Sequence, residues 1–76
     1  MASTLDQAAM NLCRALAAAT AGAPMQWRSL AAIATRAGAR VDQVDAAAAR
    51  GVEKGWLIVE GGHSICLTDA GRAAAG

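Results

Sequence analysis

A chain of 76 residues with a net charge of +1 has room for one domain, taken as residues 1–76, whose thin core covers only about 60% of the unfolded surface. The near-neutral charge argues against the clear basic excess of an autonomous nucleic-acid binder and leaves a local basic face as the route to such a function. Cys13 and Cys66 are too few for a disulfide framework and read as reduced apolar side chains; without a signal peptide or long apolar run, a cytoplasmic, non-membrane location is expected.

Alanine dominates the composition; it favours helix but brings little apolar area, so the anchors must be the scattered Leu, Ile, Val, Met and Trp. Ser3 and Asp6 read as a capping box, and Leu5, Ala9, Leu12, Leu16 and Ala19 then form one stripe down a first helix. Met10 and Cys13, to one side of it, read as core before partner contacts. Gly22 and Pro24 end this helix. A second helix, capped by Ser29, runs to about Ala37 with Leu30, Ile33, Ala34 and Ala37 on one face. The turn spans Gly38 to Val41, and a third helix runs from Asp42 to about Lys54, with Asp42 as its cap and Val44, Ala47, Ala48 and Val52 as its buried face.

Leu57 to Glu60 and Ser64 to Leu67 read as two strands joined at Gly61-Gly62-His63. A three-residue loop is preferred over a two-residue one, because it gathers Leu57, Val59, Ile65 and Leu67 on one face. Ile58, Glu60, Ser64 and Cys66 then share the other. Thr68 can cap a last helix from Asp69 to about Ala74.

Several of these segments carry a resemblance. Ser29-Leu30-Ala31-Ala32-Ile33-Ala34, the turn at Gly38, Val44, the exit Gly55-Trp56-Leu57-Ile58 and the segment Leu67-Thr68-Asp69-Ala70-Gly71-Arg72 together resemble the winged helix-turn-helix family of bacterial transcriptional regulators. The resemblance covers about Met25 to Arg72. It implies an α+β fold: a three-helix core, a small antiparallel wing sheet and a short C-terminal helix. It makes Met25-Gln26-Trp27 the first, small strand of the wing, with Trp27 mostly buried. Gly51 departs from the pattern, since the family commonly has a large aliphatic residue there. Either Val52 takes over the anchoring or another group approaches closely at Gly51.

The implied function is sequence-dependent recognition of double-stranded DNA in transcription regulation. Carried over onto this chain, Arg40, Gln43, Ala46 and Arg50 face the major groove, with Gln43 suited to adenine and either arginine to guanine or phosphate. Arg28 and the free N–H groups after Ser29 would grip phosphate, as would His63 and Ser64 from the wing. Opposed to this, Asp42 and Asp45 share the same surface, Ala46 and Ala49 offer no hydrogen bond, and the wing tip lacks Arg and Lys. The alternative is a winged-helix module that binds protein, including a homodimer through a face containing Trp56, Ile58 and Cys66. Enzymatic chemistry, metal binding and a cofactor are not expected. The sole histidine, His63, has no nucleophile beside it, and His63 and Cys66 would point to opposite faces of a strand.

Overall fold

The computed structural model describes residues 4–21, 23 and 26–76. Helix α1 spans Thr4–Ala19, strand β1 Trp27–Ser29, helix α2 Leu30–Ala37, helix α3 Val44–Glu53, strand β2 Leu57–Glu60, strand β3 Ser64–Leu67 and helix α4 Asp69–Ala75. A single 3-10 turn, Val41–Gln43, leads into α3. The result is α+β: four helices and a small antiparallel sheet in the order β1-β3-β2, compatible with a winged-helix-like arrangement. Ser3, Gly22, Pro24 and Met25, to which cap, stop and strand roles were assigned above, lie outside the described residues.

Helix α1 is the spine of the core and packs against α2, α3, α4 and β3. Its stripe buries Ala9, Leu12 and Leu16, and Cys13 and Ala15 widen it. Leu12, Cys13 and Leu16 are fully buried, each leucine contributing roughly 1.5–3 kcal/mol. Leu5, Met10 and Ala19 pack against the same cluster from its edge, so Cys13 is a core residue and Met10 a half-buried one at the core's margin.

Two of the expected hydroxyl caps, at Ser29 and Thr68, are present. Ser29 accepts a hydrogen bond from the Ala32 N–H at 3.3 Å, and Thr68 accepts one from the Gly71 N–H at 3.0 Å. Each satisfies one of the donors that a helix start leaves without an internal partner. Ser29→Ala and Thr68→Ala should therefore each cost about 1 kcal/mol, visible as a lower urea midpoint with an unchanged slope. At the other end of α2, Gly38 takes a left-handed conformation (φ 70); Ala39 N–H then reaches back to the Ala34 carbonyl at 2.9 Å, closing the helix.

The wing has the register of the three-residue loop. Leu57 pairs with Leu67, Ile58 with Cys66, Val59 with Ile65 and Glu60 with Ser64. Gly61 and Gly62 both have positive φ (64 and 77), the backbone state that glycine reaches without steric cost. The Leu30 N–H donates to the His63 carbonyl at 2.7 Å, which ties the start of α2 to the wing tip.

Four expectations need correction. The first strand lies at Trp27–Ser29, later than Met25-Gln26-Trp27. Trp27 is 37% exposed, because β1 is an edge strand and the sheet's helices cover the opposite face. Asp42 does not cap α3: Arg40 donates to both its carboxylate oxygens at 3.2 Å, and α3 begins at Val44 with no side-chain cap. Finally, the buried face of α3 is Ala47, Ala48 and Gly51, while Val52 is 44% exposed. Of the two ways to accommodate Gly51, close approach is the one realised, since a Cβ there would overlap the side chain of Leu57.

Candidate functional site

The rotation of α3 decides which side chains meet solvent. With Ala47, Ala48 and Gly51 turned inward, its exposed face consists of Asp45, Ala46, Ala49, Val52 and Glu53. No arginine or lysine stands on that face, and carboxylates lie at both ends of it. Immediately before the helix, Val41 is 93% exposed, an apolar side chain held in water at the bend between Arg40 and Asp42.

Arg50 is drawn off the helix's outer face. Its Nε lies 3.4 Å from a carboxylate oxygen of Asp6 on α1, and its Nη1 lies 3.6 Å from Glu53. Lys54 reaches the same Asp6 at 3.8 Å and holds its ammonium 6.0 Å from the centre of the Trp56 ring. Arg50 therefore bridges α3 and α1 with its guanidinium shared between Asp6 and Glu53. Arg50→Ala should cost about 1 kcal/mol of stability, because its stem and its ion pair are both partly shielded; thermal melting of the variant measures this.

The remaining sequence-derived positions divide into two groups. Arg40 and Gln43 line a small cleft of about 180 Å³ against Gln7 and Asn11 of α1, and the Arg40 guanidinium is already engaged by Asp42. Ala46 is exposed but offers no polar group. In the sheet, β1 and β3 bring Ser29 opposite Ser64 and Arg28 opposite Ile65, with His63 at the adjoining tip. Here the Arg28 Nη1 donates to the Trp27 carbonyl at 2.8 Å, and Ser29 is occupied as a cap. The hollow at this tip, about 390 Å³, is bordered by Trp27, His63, Ser64 and the carboxylate-bearing Glu60. The positions at the start of α3 and those at the wing face each other across a groove that Asp45 and Gly62 both line; Asp42 stands beside Arg40 and Glu60 beside His63 and Ser64.

Two grooves flank the exposed face of α3. One, about 410 Å³, runs between α3 and the wing, with Leu30 and Ala48 at its base, Val52 and Val59 on its walls and Asp45 on its rim. The other, about 300 Å³, lies between α2 and the start of α3 and is bordered by Ala31, Thr35, Val41, Val44 and, again, Asp45. Both are chiefly aliphatic. The sequence reading missed this surface because it assigned Val52 to the core and Val41 to a turn. No local pattern signalled it, because the inward turn of Gly51 depends on Leu57 packing back over the helix.

On the outer face of the sheet, Trp27, Cys66 and Ile58 stand in one row across the three strands. Trp27 and Ile58 are 37% and 39% exposed, but Cys66 is fully buried. Cys66 therefore supplies no contact surface for a homodimer, which removes it from the face assigned above. Burial pushes both thiols upward, Cys13 to about 11; at Cys66 the nearby Arg72 charge partly offsets the rise. Neither is a ready nucleophile near neutral pH.

Among the described residues, no group of three or more His, Cys, Asp or Glu is arranged to hold a metal ion, and no helix is long and apolar enough to cross a membrane. The chain matches no protein-family model, no curated protein and no solved structure.

Proposed function

We propose that this chain is a winged-helix-like protein-interaction module that docks a partner on the exposed face of α3. The observation that carries this reading is the composition of that face: Asp45, Ala46, Ala49, Val52 and Glu53 are exposed, without a cation, beside an almost fully exposed Val41. A helix that enters the major groove needs donors to base edges and cations toward phosphate. This one offers methyl groups bordered by carboxylates, which repel a phosphate backbone and suit an apolar partner surface.

A second reading, a homodimeric winged helix-turn-helix regulator that binds DNA, draws on the wing end. There Arg28 and Ser29 pair with Ile65 and Ser64 in the sheet register and His63 adjoins them at the tip; the Leu30 and Ala32 amides of the helix start already donate to the His63 carbonyl and the Ser29 hydroxyl, which leaves the side chains to hold phosphate. The test is binding to random-sequence duplex DNA by fluorescence anisotropy, between about 50 and 200 mM salt. We expect no binding at the low-salt end. Binding that weakens steeply as salt rises would overturn the interaction-module reading in favour of DNA.

A further inference from the structure

Asp45 is the carboxylate common to both aliphatic grooves, and it makes no ion pair with any described residue. Glu53, at the far end of the same face, shares its charge with Arg50 at 3.6 Å. The basic residues closest in sequence, Arg40, Arg50 and Lys54, are held by Asp42 or Asp6. An occupant of the grooves thus meets aliphatic walls and a rim carboxylate without a resident counter-charge.

We infer that the partner is a basic amphipathic helix: an apolar stripe seated on Val41, Ala49, Val52 and Val59, flanked by Lys or Arg directed at Asp45 and Glu53. This rests on the docking face proposed above and adds the charge and shape of what docks there. From Asp45 to Glu53 the face is roughly 12 Å long at 1.5 Å per residue, the length of about two helical turns, so apolar residues at i, i+3 or i+4 and i+7 of the partner fill it. Cations on its flanks gain from Asp45, whose charge is otherwise left facing water; acidic flanks are repelled.

The experiment titrates the isotope-labelled full chain with two synthetic helical peptides of identical leucine spacing, one with lysine and one with glutamate at every flanking position, and follows the backbone amide signals. The expected result is saturable binding of the leucine–lysine peptide, with the largest shifts at Ala49, Val52 and Val59 and binding at least about tenfold tighter than that of its glutamate counterpart. Val52→Glu, at an exposed position that leaves the core intact, should weaken the lysine peptide by about tenfold. Asp45→Lys should narrow the difference between the two peptides.

Equal binding of both peptides at these amides would overturn the basic partner while leaving the docking face standing. Shifts confined to the sheet's outer face, or no shifts with either peptide, would overturn the face and the partner together. Concentration-dependent shifts of the same amides without any peptide would make a second copy of the chain the occupant and overturn the proposal.

Discussion

Gly51→Leu should lower the melting temperature by about 12 °C or more, corresponding to a loss of about 3 kcal/mol in a domain of this size. The substitution puts a large aliphatic side chain where winged helix-turn-helix sequences commonly have one, so by resemblance alone it looks like a repair. The packing argues the reverse. Gly51 is buried, and the Leu57 side chain lies directly over it: a Cβ at Gly51 would sit 2.9 Å from Leu57 Cγ, with another leucine carbon closer still. Two leucine side chains cannot share that volume without moving β2 away from α3. The Trp56 N–H to Gly51 carbonyl hydrogen bond, 2.8 Å, would be strained by the same movement. Gly51→Ala is the graded variant: its Cβ still lies 2.9 Å from Leu57 Cγ, so the buried leucine must shift, and the roughly 1 kcal/mol of helix propensity that alanine recovers offsets only part of that cost. Differential scanning calorimetry should rank wild type first, Gly51→Ala below it and Gly51→Leu far below both. A Gly51→Leu variant as stable as wild type would mean that Leu57 does not occupy this space.

Gly71→Ala should be nearly as damaging, with a loss of about 3 kcal/mol, although it adds one carbon to a helix. The group in the way here is backbone. A Cβ at Gly71 would overlap the carbonyl of Trp56 and lie 2.8 Å from Leu67 Cδ1. That carbonyl is fixed by the hydrogen bond it accepts from Thr68 N–H at 3.0 Å, so it cannot rotate away at low cost. Relief requires α4 to lift off, breaking the Thr68 cap on Gly71. The expected order of damage at the two glycines is therefore Gly71→Ala well above Gly51→Ala, because a carbonyl yields less than a leucine terminus. Urea denaturation of the two alanine variants tests that order directly. It also assigns Gly71, in the segment from Leu67 to Arg72, a physical role: without a Cβ, it lets α4 approach the Trp56 carbonyl at backbone distance.

Local physics made much of this protein legible from its residues. The extents of α2, β2 and β3, the hydroxyl caps at Ser29 and Thr68, the left-handed stop at Gly38 and the register across the Gly61-Gly62-His63 loop depend on periodicity, turn geometry and near neighbours. All are encoded within a few residues of where they act. The stripe on α1 was equally readable, since a 3.6-residue period determines which side chains can share a face.

What only the tertiary structure decided is which way the third helix turns. Leu57, arriving from the strand after the bend, takes the space at Gly51 and leaves Val52 in water. Asp6, on the first helix, draws Arg50 and Lys54 to one flank. The Asp6 contacts join segments far apart in the chain, and the Leu57 contact depends on how the chain bends between α3 and β2, so helical periodicity does not encode their direction. The same holds for Trp27, exposed because the helices cover the other face of the sheet, and for Cys66, buried in the row between Trp27 and Ile58. The sequence by itself determined the elements and their caps, because these obey short-range sterics and hydrogen bonding. Long-range packing chose the surface that faces a partner, because the exposure of a side chain depends on what else fills the space around it.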